Sequence, residues 1–153
     1  MEPSPRIQRT PTGEFELRLA AEERTVLRSL PQQLRELLSS DDPVLGRLFP
    51  PAYPEDEHLQ AEYASLVRDD LLDQRLGAAQ VMAETIDAER LTEDQILAWL
   101  GALNDLRLIL GTRLGAADDD LPEIEEDDPM APAHALYHYL GFLEEQVVEA
   151  LSA

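Results

Sequence analysis

The chain contains no cysteine and no lysine, few aromatic residues (5%), and no run of apolar residues approaching a membrane span. Without cysteine these residues hold no disulfide, no thiolate zinc site, no iron–sulfur ligand and no cysteine nucleophile. A bilayer-crossing helix needs about 18 or more apolar residues, and the opening MEPSPRIQRT has no apolar signal core, so a cytoplasmic protein without a membrane anchor is expected. Also absent are a glycine-rich phosphate loop, a Gly-x-Ser-x-Gly elbow and the glutamate–histidine spacing of a metalloprotease. No enzyme and no cofactor is expected on those grounds. Carboxylates are so abundant that picking two as an acid–base pair carries no information.

Cations are the scarcest resource. Twelve basic residues, all arginine, face 32 acids, giving a net charge of -20. Phosphate repels such a surface, so direct nucleic-acid binding is not expected. The imbalance is uneven: residues 1–50 hold seven arginines and eight acids, and residues 51–153 hold five arginines and 24 acids. The densest stretch, residues 118–128, is acidic except for Leu121, Pro122 and Ile124. It predicts a solvated, flexible loop over 117–130 that a basic partner can read.

What remains is patterned for helices. With 44% hydrophobic residues in 153, the chain suits one domain spanning 1–153. Phe15, Leu17 and Leu19 alternate with charged residues, and Thr10-Pro11-Thr12-Gly13 is a turn, so a small β-hairpin is predicted over 5–19. Val26, Leu27, Leu30, Leu34, Leu37 and Leu38 form a helical stripe that Pro31 must kink or divide. Asp42 and Pro43 open a short helix, and FPPAYP at 49–54 is an extended segment whose aromatics pin it to the core. A long helix is predicted over 55–87, bent at Gly77 if at all. Thr92 to Gln95 is a capping box opening a central helix over 96–114, frayed at Gly111 and Gly115. Leu136, Leu140, Leu143, Val147 and Leu151 mark a last helix. The predicted fold class is mainly α: a bundle of about four to five helices carrying an N-terminal hairpin.

Three constellations could carry chemistry. Projected at about 100° per residue, Arg107 falls inside the apolar stripe of the central helix. A buried guanidinium needs a carboxylate, expected from Asp69, Asp70, Asp73 or Glu84 on the preceding helix, as a structural ion pair rather than an anion site. His134 and His138 share a helix face at the spacing of two metal ligands, and nearby acids could add a third. They project away from the leucine stripe, so a solvated pair is favoured over a metal site or metal-dependent hydrolase. Asp118 onward fails as an EF-hand loop, because Pro122, Glu123 and Pro129 occupy positions where ligands or the obligatory glycine belong.

The segments FELRLAAEERTVLRSLP, RLFPPAYPEDEHLQAEY with RDDLL, ILAWLGALNDLRLILGTRLG and YLGFLEEQVVEAL together resemble an actinobacterial family catalogued as a domain of unknown function and typically encoded beside the Clp protease adaptor. FPPAYP and WLGALNDLRLILGTRLG are the most specific blocks. That family is similar to oxidative-stress transcriptional regulators that act with an RNA polymerase sigma factor, which implies a regulatory rather than enzymatic role. Redox sensing in that setting uses a cysteine pair, and no position here can take it over. The resemblance implies a protein partner such as a sigma factor or RNA polymerase, the acidic surface implies that this partner is basic, and the kinked first helix, Phe49, Tyr53, Asp118, Asp119 and Asp120 are the candidate contacts. A DNA-binding regulator would need the arginines of residues 1–50 clustered on one face.

Overall fold

The computed structural model describes residues 5–49, 55–63, 67–115 and 127–153, with Arg47 described by its backbone only. Tyr53, Asp118, Asp119 and Asp120 lie outside the described residues, as does most of the acidic stretch. The chain runs β1 (Ile7–Arg9), β2 (Phe15–Leu17), α1 (Ala21–Arg28), α2 (Leu30–Leu38), a 3₁₀ turn (Pro43–Arg47), α3 (Glu57–Tyr63), α4 (Asp69–Glu84), β3 (Arg90–Leu91), α5 (Glu93–Arg113) and α6 (Ala131–Ser152). The class is mainly α, as predicted. No helix among the described residues is long and apolar enough to cross a membrane.

The hairpin forms where alternation placed it. Ile7 pairs with Leu17 and Arg9 with Phe15, and Gly13 closes the turn at φ 88°, a conformation open to glycine. It is not isolated. Phe15 and Glu16 pair with Leu91 and Arg90, adding β3 as a third antiparallel strand, so Ile7, Phe15, Leu17 and Leu91 sink into the core. Three strands with a buried face are stable where a lone hairpin is marginal.

Helix starts follow local signals. Pro31 sits in the first turn of α2, where its missing N–H is no loss, and the chain breaks into two helices at Ser29. The Asp42 carboxylate accepts from the Val44 amide at 2.9 Å, although the turn it caps is 3₁₀. At α5 the Thr92 hydroxyl accepts from the Gln95 amide at 3.2 Å while the Gln95 side chain accepts from the Thr92 amide at 2.9 Å, the reciprocal satisfaction a capping box provides. The long helix over 55–87 is represented by α3 and α4, with residues 64–66 outside the described residues.

Helix α5 is the axis of the bundle, lying against α4 on one side and α6 on the other. Trp99, 1% exposed, anchors it: its indole N–H donates to the Thr85 hydroxyl at 2.7 Å, which in turn donates to the Val81 carbonyl. Arginines tie the rest together. Arg24 donates to the carbonyls of Ile86, Ala88 and Leu17, fixing α1 over the turn that leads into β3. Glu23 gathers Arg6, Tyr139 and the Ala20 amide, which joins the N-terminal strand, α1 and α6 at one carboxylate.

Candidate partner-binding surface

The ion pair sought for Arg107 exists with other members. Arg107 reaches Glu144 on α6 at 3.5 Å, whereas Asp69, Asp70, Asp73 and Glu84 of α4 all lie exposed. Between α4 and α5 the charges are reversed: Asp105 of α5, 1% exposed, is paired with Arg75 of α4. The projection failed because α5 is buried around most of its circumference. Ile96, Trp99, Ala102, Leu106 and Ile109 are all interior, so no single stripe marks an inward face.

Each pair is built into its interface. Arg75 also donates to the Leu48 carbonyl at 3.2 Å, and its guanidinium and that of Arg68 lie 5.2 and 5.3 Å from the centre of the Phe49 ring. Phe49 is thereby held half-buried against the core by cation–π contact. Burial lifts the Asp105 carboxyl above its ordinary range, opposed by the hydrogen bond and charge of Arg75. On the other side, Arg107 lies 5.1 Å over the Tyr137 ring. Two glycines make that contact: a Cβ at Gly111 would stand 2.9 Å from Tyr137, and one at Gly141 would stand 3.1 Å from Arg107. Each helix thus receives a large side chain of the other. Gly111 is a packing residue, not the fraying end expected of it, and only Gly115, at φ 78°, serves as a helix-ending glycine.

The two histidines do not share a solvated face. His134 is buried and His138 exposed, because His134 stands at the margin of the buried arc of α6 and His138 lies about 40° beyond it. Among the described residues no group of three or more histidine, aspartate or glutamate side chains could hold a metal ion. The metal reading gains nothing from the fold.

Two apolar clefts flank the start of α6. One, ≈ 450 Å³, lies between α1 and α6 over Val26, Ala135 and Tyr139. The other, ≈ 500 Å³, lies among α2, α5 and α6 over Leu37, Ile109 and Leu110. Leu136 lines both, so the two adjoin. Val26, the first apolar residue of the stripe carried by α1 and α2, is left 50% exposed at this cleft. The Tyr139 hydroxyl at the cleft wall donates to Glu23 at 2.6 Å. Burial and that carboxylate push the Tyr139 phenol up. Burial also raises Glu23, but the bonds from Tyr139 and the Ala20 amide and the Arg6 charge outweigh it, and its carboxyl ends below the ordinary value. These bonds tie α1 to α6 at the cleft wall. Sequence periodicity found the residues but not the clefts, since a stripe shows that leucines face inward and not where helices leave a gap.

Comparison with known proteins places these features in a wider setting. Residues 4–151 match the family described as Domain of unknown function (DUF2017). A Mycobacterium leprae protein named provisionally as oxidative stress regulator AosR is 33% identical over 131 residues, 74% of this chain and 60% of that protein. The oxidative stress regulator AosR of Mycobacterium bovis is 32% identical over 127 residues, 72% of this chain and 58% of that protein, and that of Mycobacterium tuberculosis gives the same figures. The chain therefore spans about 60% of the length of the curated relatives it matches. No solved structure matches it.

Proposed function

The chain belongs to the DUF2017 family, and on that premise we propose that it is a cytoplasmic, non-enzymatic regulatory protein acting on transcription through a protein partner with a basic surface, a sigma factor or RNA polymerase. The observation that carries this reading is its similarity, over most of its length, to proteins named as oxidative stress regulators. The charge supports the choice of partner. A net charge of -20 repels a nucleic-acid backbone and steers a basic protein surface inward, raising its association rate. The adjoining clefts beside α6 supply half-exposed apolar area, which charge alone lacks. None of these residues can itself serve as a thiol sensor, because they include no cysteine.

The test uses purified components of the host: the immobilised chain is offered RNA polymerase core, individual sigma factors and promoter DNA, each alone, at about 150 mM salt. Retention of a sigma factor or the core, with a changed transcript yield when the chain is added to a reconstituted reaction, is the expected result. Retention of DNA alone, or no retained component and an unchanged transcript, overturns it.

A further inference from the structure

We propose that the paired clefts along the start of α6 form one groove that seats a basic amphipathic helix of the partner, a proposal that rests on the chain's acting through a protein. Four observations converge on this occupant. The clefts share Leu136 and together leave Val26, Leu37, Leu110 and Leu136 half-buried or exposed after folding. The run of α6 bordering them, from Pro132 to Leu140, amounts to about two and a half helical turns. That is the length over which a helix presents apolar anchors at i, i+3 or i+4, and i+7.

The rim selects the sign of the partner. Glu22, Glu23, Glu36 and Asp42 line the groove against one arginine, Arg113. Glu23 is engaged by Arg6 and Asp42 by Arg113. Glu22 and Glu36 make no ion pair with any described residue, and they lie in different clefts, Glu22 in that of α1 and Glu36 in that of α2. A helix with apolar residues along one face and arginine or lysine flanking that face satisfies both floor and rim. A second copy of this chain does not: it brings the same acidic rim and the same charge of -20, so self-association sets like charges against one another.

The probe is a designed helix of roughly 18 residues, leucine along one face and arginine elsewhere, added to the isotopically labelled full chain at about 150 mM salt. Its controls are the same peptide with glutamate for arginine and a scramble of the original composition. Saturable shifts of the Val26, Leu37, Leu110 and Leu136 methyl resonances, with Val148 and Leu97 unmoved, are expected from the arginine peptide alone. The double variant Glu22→Arg/Glu36→Arg, on exposed side chains that leave the core intact, is expected to weaken binding at least about tenfold. Equal binding by the scramble, shifts spread over the whole acidic surface, or a concentration-dependent dimer that covers the same methyls overturns the proposal. The two readings fail separately. A sigma factor that binds the double variant as well as the native chain removes the groove and leaves the regulatory role. A peptide seated in the groove with no response from any transcription component does the reverse.

Discussion

Asp105 and Arg107 stand two residues apart on α5, which sets them about 160° apart around the helix axis. Asp105 faces α4 with its side chain 2% exposed, paired with an Arg75 that keeps 27% of its own surface. Arg107 faces α6 with its side chain 32% exposed, and Glu144 keeps 17%. On the first side the charge that is fully buried is the anion, and the cation approaches from the periphery. On the second side both charges remain partly wet, and the contact rests on glycines that let the helices close up around Tyr137 and Arg107. The α4 interface therefore depends on charge being matched, the α6 interface on room being left. Removing the partner of a fully buried charge strands it, whereas charges that keep some exposure fall back in part on water.

The largest effect follows from that asymmetry. Arg75→Met leaves the Asp105 carboxylate buried without its cation and removes the donor to Leu48, and we expect a loss of about 3 kcal/mol in urea unfolding. The double variant Arg75→Met/Asp105→Leu should recover most of it, because an apolar pair of similar size carries no desolvation cost. A single variant as stable as the double would mean that water already reaches Asp105, and the contrast between the two faces would collapse.

Glycine substitutions test the other side. Gly111→Ala places a methyl 2.9 Å from Tyr137, and overpacking of this kind costs about 1–3 kcal/mol against a gain of about 1 from helix propensity. A net loss of about 1 kcal/mol is expected. Gly101→Ala is its control on the same helix: nothing lies within 4 Å of the new carbon, so the propensity gain stands and the midpoint rises. Thermal or urea unfolding of the two variants side by side decides whether closeness to α6, rather than glycine as such, is what α5 requires.

These contrasts mark how far the amino-acid sequence could be read. Elements begun by a local chemical signal were legible: the Thr92 capping box, the Asp42–Pro43 start, the division at Pro31 and the hairpin around Gly13 each depend on a few neighbouring residues. β3 was not, since two residues carry no periodicity and Arg90–Leu91 becomes a strand only because β2 lies beside it. The ion pairs were half legible. A charge within the apolar run of α5 announces a partner, but a helix buried on most of its circumference has no unique inward stripe, so Asp105 and Arg107 exchanged roles and Glu144, far along the chain, gave no local sign of its part. The histidine spacing was visible while the burial of His134 was not, because the edge of a buried arc is set by what packs there.

The partly buried Arg107–Glu144 pair should still register in how stability varies with pH, the smallest of the expected effects. Burial lifts the Glu144 carboxyl above its ordinary value, and the charge and hydrogen bond of Arg107 only partly bring it back. Between the ordinary glutamate value and the raised one, the folded chain holds a proton that the unfolded chain has released. Stability from this group therefore falls as pH rises through that window and is level above it. Glu144→Gln removes the titration, so the difference in unfolding free energy between native and variant should shift in favour of the native chain as pH drops through the window. Arg107→Met should steepen the same dependence, because burial then acts unopposed, at a cost near neutrality of about 1 kcal/mol or less. Asp105→Asn in parallel separates this slope from that of the other raised carboxyl. A native-minus-Gln difference that moves the opposite way would mean that Arg107 outweighs burial and holds the Glu144 carboxyl below its ordinary value, and the α6 side would then depend on matched charge as well as on room.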